Sequence, residues 1–303
     1  MTSPLHHGTT LVDGAEPGDS LLYSVTSILG AVNGAGDGLV WWGRYGTAAM
    51  AYDLQAQWAT MDRAAAVKWM AQAHQRDADR VRDTGSLVHA AIEQWVLTGN
   101  RPALDDLPHP EHADDQLAAA YLDQFDSWVQ LAQPDYQAAE LVVYSPSRGY
   151  AGTLDAIATV GGVPWLIDYK THLEPYDRQG RPRRPYPEQV ALQLVAYQRA
   201  EWAALFRARR VEQHYSPRLY ALSAQERQHA MPVPHVEAGL CVYITPEHCH
   251  AYPIVLDDRA WHGFLHAVDV YRWVHHDAKA VMGPPLDLGG GARADHQPAT
   301  APA

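Results

Sequence analysis

Two adjacent glycines, Gly161 and Gly162, separate two apolar runs near the middle of the chain. Glycine readily adopts the positive φ angles that two-residue hairpin loops need, so a glycine pair between apolar runs favours a tight β-hairpin. The pattern predicts antiparallel strands over 151–160 and 163–170, preceded by a third strand over 138–145. The chain is therefore expected to contain a β-meander.

The register of this hairpin brings three charged side chains to one face. With Val160 opposite Val163, the pairing continues to Asp155 directly across from Asp168, with Cβ atoms about 5 Å apart. Lys170 lies two residues beyond Asp168 and points to the same face, because side chains alternate along a strand. Facing carboxylates repel each other, and a hard cation with oxygen ligands, Mg²⁺ or Mn²⁺, would offset that repulsion.

A surface hairpin whose acids face water, with Lys170 as their partner, would explain the same pattern. Lysine usage favours the functional interpretation, because the chain contains twenty arginines but only three lysines. An ammonium group holds and polarises a water molecule as a compact point charge, which a guanidinium group does poorly.

Composition limits the classes of protein to consider. With 303 residues, 47% of them hydrophobic and 19% charged, the chain is expected to fold into a globular α/β domain. Its formal net charge of −12 argues against coating nucleic acid through bulk charge. Neither a signal-like apolar stretch nor eighteen consecutive apolar residues occur, so we expect a cytoplasmic protein without a membrane partner.

Helical and strand signals alternate along the rest of the chain. Apolar residues recur at helical spacing between 48 and 97, with Asp62 and Thr84 as expected N-caps. A flexible arm is expected over 1–20 and a disordered tail over 281–303. The remaining signals predict helices over 113–132, 187–207 and 257–276, and strands over 237–245 and 249–256.

Four motifs in order give the chain a resemblance to a known family. Asp155 followed by Asp168-Tyr169-Lys170 resembles the PD-(D/E)XK nuclease signature. Three further segments are similar to motifs of RecB-type nuclease domains and of phage-encoded exonucleases: the run from Gly85 to Glu93, the pair Gln193 and Tyr197, and the run from Tyr23 to Leu29. The resemblance covers roughly residues 20–275.

This resemblance implies a restriction-endonuclease-like core, with a central mixed sheet flanked by helices in αβββαβ order. It would form one domain over 21–280, mainly helical over 21–135 and catalytic over 136–280. The implied activity is that of a phage-encoded, metal-dependent DNA exonuclease used in recombination or DNA processing. Two alternatives stay open: a structure-selective or restriction-like endonuclease, and a DNA-end-binding recombination partner that does not cleave.

The resemblance also implies a role for each residue of the site. Asp155, Asp168, the Tyr169 carbonyl and His89 would hold Mg²⁺ or Mn²⁺, and Lys170 would orient the attacking water. Without the motif, His89 would be read as an ordinary, partly buried histidine.

Other polar residues join this implied site. Gln193 and Tyr197 share one helix face, because they are four residues apart, and would contact the scissile strand; solvent-facing side chains are the alternative. Glu140 would supply an additional acid near the metal. Glu93, one turn beyond His89, would orient that histidine or simply lie on an exposed helix face.

The substrate is expected to be linear duplex or single-stranded DNA, with a recombinase or single-strand-binding protein as a further partner. Nine arginines and four acids lie between 177 and 218, so this segment provides a local basic surface, or a solvated arginine loop. Its candidate DNA contacts are Arg178, Arg181, Arg183 and Arg184. Trp41, Trp42 and Tyr45 could stack on unpaired bases, although tryptophan is usually a core residue.

Two features of the relatives are absent from this sequence. Cys241 and Cys249 are the only cysteines, so a four-cysteine iron–sulfur cluster is excluded. Together with His248 and His250 they are read as strand and turn residues rather than as a metal site. No Walker A motif occurs, so the chain is not expected to carry a helicase motor.

Overall fold

A computed structural model describes residues 20–32, 37–177, 179–204, 209–213 and 216–284. The helices of this part are α1 (Val25–Val32), α2 (Asp37–Asp53), α3 (Gln55–Trp58), α4 (Arg63–Ala71), α5 (Ala73–Thr98), α6 (Asp115–Ala132), α7 (Pro187–Gln198), α8 (Ala224–Gln228) and α9 (Asp258–His275). The strands are β1 (Ser20–Ser24), β2 (Asp135–Ser145), β3 (Tyr150–Val160), β4 (Val163–Thr171), β5 (Trp202–Ala204), β6 (Arg209–Gln213), β7 (Ser216–Leu222), β8 (Ala238–Ile244) and β9 (Cys249–Ile254). Short 3₁₀ turns cover Leu104–Asp106 and Asp277–Ala280.

The strands form one mixed sheet in the order β6-β7-β1-β3-β4-β8-β9, with β2 paired to both β3 and β5. The β1–β3 and β4–β8 pairs are parallel, and the other pairs are antiparallel. Strand β2 follows one edge of β3 along almost its whole length. On the opposite edge β4 pairs with Ala156–Val160, whereas β1 meets β3 only at Tyr150 and Ala151. The protein is therefore an α/β fold with helices on a mixed sheet.

The central hairpin forms as its sequence predicts. Gly161 and Gly162 have φ angles of 60° and 80°, and Val160 pairs with Val163. The antiparallel ladder ends at Ala156 paired with Ile167, one position short of the expected pairing of the two aspartates. Beyond this point β4 is no longer paired with β3, but its pairing with β8 continues to Thr171.

Helices pack on both faces of the sheet. One face carries α5 and α6, whose apolar side chains meet alternate residues of β4 and β8. The other face carries α1, α7 and α9. The fully buried residues Leu87, Ile92, Phe125 and Ile167 belong to the first layer, and Ile28, Leu154, Leu194 and Phe264 to the second.

Two expectations about helix boundaries have opposite outcomes. The Asp62 carboxylate accepts hydrogen bonds from the backbone N–H groups of Ala64 and Ala65, so its predicted N-cap is confirmed. The predicted N-cap at Thr84 is wrong, because this residue lies inside α5. Its hydroxyl donates to the Arg80 carbonyl at 2.7 Å, a bond within the helix that a threonine can make in place of capping.

The helix predicted over 187–207 ends early, at Gln198. The next segment forms β5, which pairs with β2 through Ala204 and Val142, so sheet pairing competes successfully with helix propensity there.

Strands β1, β6 and β7 were also not predicted. Residues 1–19 of the expected arm and 285–303 of the expected tail lie outside the described part. None of the described helices combines the length and apolar character needed to cross a lipid bilayer.

Candidate active site

The candidate site lies at a gap in the sheet, where residues 152–155 of β3 are paired with neither β4 nor β1. Gly152 and Asp155 belong to the segment of β3 that spans this gap. The Asp155 carboxylate accepts a hydrogen bond of 2.7 Å from the backbone N–H of Tyr169. This side chain therefore takes the place of the backbone acceptor that a continuous ladder would supply.

Helix α7 closes the gap by placing an aromatic ring directly on β3. A Cβ atom built at Gly152 would lie 2.4 Å from Cε1 of Tyr197, so only glycine fits under this ring. The sequence offered a signal for this contact, because a glycine inside a strand often marks the close approach of another group. Gly152 had not been assigned a role from the sequence, yet it positions the helix that carries Gln193.

A hydrogen-bonded network connects α7 with the acids of β4. The Lys170 ammonium lies 2.7 Å from Oδ1 of Asp168 and donates to Oε1 of Gln193 at 3.1 Å. The Gln193 amide donates to the same Asp168 oxygen at 2.8 Å and to the Tyr197 hydroxyl at 3.2 Å. The structure therefore brings together Asp168, Lys170, Gln193 and Tyr197, with Asp155 beside them.

Burial sets the electrostatics of this network. The Asp168 side chain is 1% exposed. Burial raises its pKa to about 6; Lys170 acts against that rise, and the Asp155 carboxylate adds to it. Burial alone would lower the pKa of Lys170, but Asp168 and then Asp155 outweigh it and raise that pKa. The ammonium is therefore charged near neutral pH, while Asp168 is ionised at a cost.

One oxygen of Asp168 has no hydrogen-bond partner within the described chain. Its Oδ1 atom accepts from Lys170 and Gln193, whereas Oδ2 is buried and unpaired. Buried carboxylate oxygens are normally hydrogen-bonded or bound to a cation. Beside Asp155, this oxygen fits the preference of Mg²⁺ and Mn²⁺ for carboxylate ligands.

His89 approaches the same network from α5. A Cβ atom at Gly85, one turn earlier, would lie 3.1 Å from Oγ1 of Thr171, so the helix passes close to the end of β4. Burial and then the charge of Lys170 lower the pKa of His89 to about 4, against the opposing effect of Asp168. The imidazole is therefore neutral near pH 7, the form that binds metals. Across the described residues, however, no three His, Cys, Asp or Glu side chains are grouped so as to hold a metal ion.

Glu140 lies in the middle of β2. The pairs that flank it, Ala139 with Ala156 and Leu141 with Leu154, place its backbone opposite Asp155. Its φ angle of 49° is in the left-handed region, which costs on the order of 1–3 kcal/mol for a residue other than glycine. No local pattern in the sequence predicts this conformation. Glu93 is half-buried on α5, and Tyr45 on α2 is 62% exposed. The side chains of Trp41 and Trp42 lie outside the described part.

The predicted basic residues do not join the Asp168 network. Arg181 pairs with Asp177 at 2.7 Å, and Arg183 pairs with Glu174. Arg178 lies outside the described residues. Instead, Arg181, Arg183 and Arg184 line a separate cleft of about 680 Å³ together with His250 and Tyr252 of β9.

Comparisons with known proteins identify no family. No protein-family profile matches the chain, and no curated protein matches it. A solved structure titled "Crystal structure of SSO0001" is similar at a TM-score of 0.27 and 15% identity, over 62% of this chain and 73% of that chain. A similarity this low supports no conclusion about fold or function, so the functional argument depends on the site itself.

Proposed function

We propose that this protein is a divalent-metal-dependent DNA exonuclease that hydrolyses phosphodiester bonds. The observation that carries the proposal is the buried, unpartnered Oδ2 atom of Asp168 beside Asp155, with the Lys170 ammonium on the other oxygen. The order α6, β2, β3, β4, α7 and, after an insertion, β8 agrees with the αβββαβ core that the motif resemblance implies.

Asp155 and Asp168 would hold the cation, and the resemblance adds His89 and the Tyr169 carbonyl. A bound Mg²⁺ or Mn²⁺ would neutralise charge on the phosphate and acidify a water molecule. Because Asp168 is 1% exposed, the cation would also offset the cost of ionising this carboxylate in the protein interior.

Lys170 has the geometry to position the attacking water. Its ammonium has three N–H donors, of which one contacts Asp168 and one contacts Gln193. The third remains for a water or a phosphate oxygen, and the side chain is 34% exposed, so it reaches solvent. Gln193 fixes the network, because its amide contacts Asp168, Lys170 and Tyr197 at once.

The test uses end-labelled linear duplex, single strand and closed circular DNA, each with Mg²⁺, Mn²⁺ or a chelator. Lys170→Ala is expected to bind DNA within about twofold of wild type and to cleave it at least about 100-fold more slowly. Lys68→Ala, which removes a lysine from α4, is the matched control and should cleave normally.

Each outcome bears on one candidate. Cleavage of linear but not closed circular DNA supports the exonuclease, and cleavage of both supports the endonuclease. DNA binding without cleavage under any metal supports the non-cleaving end-binding protein. Undiminished cleavage by Lys170→Ala would contradict the role given to this lysine.

A further inference from the structure

A row of side chains crosses three strands beside the candidate active site. Lys170 of β4 pairs with Tyr243 of β8, and Tyr243 pairs with His250 of β9. Residues paired in register lie on the same face of a sheet, and neighbouring strands are about 4.8 Å apart, so the His250 backbone is about 10 Å from that of Lys170. His250 therefore lies within about 10 Å of the candidate active site.

Ring side chains continue the row beyond the sheet. The His248 and His250 ring centroids are 4.7 Å apart, and those of His250 and Tyr252 are 6.2 Å apart. Tyr176, from the loop before α7, lies 5.7 Å from His248 and is 45% exposed. His250 is also exposed. Of these rings, those of His250 and Tyr252 line the cleft that Arg181, Arg183 and Arg184 also line.

The cleft is also lined by basic side chains. Arg181 and Arg183 are held by ion pairs with Asp177 and Glu174. Arg184 is exposed, and no ion pair is found for it within the described chain. Counting Arg181, Arg183, Arg184 and Asp177, the charged lining has a net charge of +2.

Buried polar atoms next to the cleft also lack partners. Within the described residues, Nε of Arg183, Nε2 of His248 and the Tyr243 hydroxyl have no hydrogen-bond partner. Of these three residues only Arg183 lines the cleft, and because buried donors are normally satisfied, its Nε atom points to a polar ligand there.

We infer that this cleft binds an unpaired nucleotide next to the scissile phosphate, with its base stacked on the His250 ring and its phosphate on Arg184. The inference rests on the proposed function for the position of the scissile phosphate. Aromatic rings and arginines together are the usual means of holding single strands, because any unpaired base can stack and every backbone phosphate is negative. In a paired duplex the base faces are already stacked, so the substrate class is single-stranded DNA or a duplex with a single-stranded end.

Fluorescence anisotropy of a labelled deoxythymidine decamer, measured with a chelator present, tests the cleft separately from cleavage. His250→Ala is expected to weaken binding by about 5- to 10-fold, since stacking on one ring contributes roughly that much. Arg184→Ala should also weaken binding, because it removes a phosphate contact. His250→Phe should retain wild-type affinity because it keeps a ring. Arg101→Ala is the control for loss of an arginine away from the cleft: this residue pairs with Asp123 on the α6 side of the sheet, and its loss should leave binding unchanged.

A blunt-ended duplex of the same length separates stacking from simple charge. Its affinity should change by less than about twofold in His250→Ala, since paired bases cannot use the ring. If His250→Ala loses equal affinity for duplex and single strand, the inference is overturned in favour of a phosphate contact only. Wild-type affinity of both alanine variants for the decamer would also overturn it.

The two proposals fail separately. If wild type cleaves DNA while both alanine variants bind the decamer normally, the nucleotide cleft is refuted and the nuclease remains. If wild type cleaves nothing with any metal while the alanine variants lose decamer binding, the cleft stands and the nuclease is refuted.

Discussion

Replacing Gly152 by alanine tests the contact on which the position of α7 depends. The added methyl group would lie 2.4 Å from Cε1 of Tyr197 and 3.2 Å from its Cζ, and a normal contact begins near 3.4 Å. The ring, or the strand beneath it, must therefore move by about 1 Å. Tyr197 is only 3% exposed and packs in the core beneath α7, so no free space accepts that movement.

The expected loss of stability follows from two opposing effects. Overpacking of a core side chain costs about 1–3 kcal/mol. Removing the backbone freedom of a glycine returns about 0.5–1 kcal/mol. We therefore expect Gly152→Ala to lower the free energy of unfolding by up to about 2.5 kcal/mol and to reduce cleavage, because Tyr197 supports Gln193 beside Asp168.

Urea unfolding followed by tryptophan fluorescence measures the effect. Gly30→Ala in α1 is the matched control, because a Cβ atom there meets nothing within 4 Å, and it should be neutral or stabilising. The decisive measurement is the same change in a Tyr197→Leu background, where the smaller side chain leaves room and Gly152→Ala should cost less. An equal cost in both backgrounds would refute the assigned contact.

Two further predictions concern the acids of the site. Asp155→Asn keeps an oxygen for the Tyr169 N–H but removes the repulsion toward Asp168, so in chelator its melting temperature should equal or exceed that of wild type. The rise in melting temperature that Mn²⁺ causes in wild type should disappear, as measured by differential scanning fluorimetry. A full Mn²⁺ response would rule out Asp155 as a ligand. The pKa of Asp168 is raised from 3.8 to about 6, so the protonated carboxyl stabilises the folded protein fully below pH 4. This stabilisation is lost as the pH rises through 6, and the loss in the free energy of unfolding is about 3 kcal/mol at pH 7. In chelator, Asp168→Asn should therefore gain stability relative to wild type between pH 4 and pH 7, measured by urea unfolding, and a difference independent of pH would contradict the burial of this charge.

Local signals in the sequence predicted the hairpin and its face. Two glycines with positive φ fix the turn, and the turn fixes the register from Val160 through Ala156. The convergence of Asp168 and Lys170 follows from side-chain alternation over two residues of one strand. These features were predictable because each depends on residues that are adjacent in the chain.

The features that the sequence did not predict depend on distant segments. The ladder between β3 and β4 stops before Asp155, and beyond that point the described part of β4 pairs with β8, a strand more than sixty residues later. Helix α7 ends at Gln198 because the following residues pair with β2. The contact between Gly152 and Tyr197 requires both the sheet and the helix to be in place. No local pattern contains this information.

At the gap between β3 and β4, the Asp155 carboxylate has two roles: it accepts a backbone hydrogen bond, and it lies beside Asp168. Where the ladder is interrupted, the N–H of Tyr169 needs an acceptor, and the Asp155 carboxylate supplies it at 2.7 Å. That hydrogen bond uses Oδ2 and also fixes the carboxylate beside Asp168, whose own Oδ2 is buried and unpaired. A sheet built for stability alone would continue the backbone ladder and would not bury a second carboxylate at this point. The interrupted pairing thus gives the Asp155 carboxylate a backbone N–H to hold it beside the buried Asp168 carboxylate, and a cation bound by both acids would reduce their repulsion.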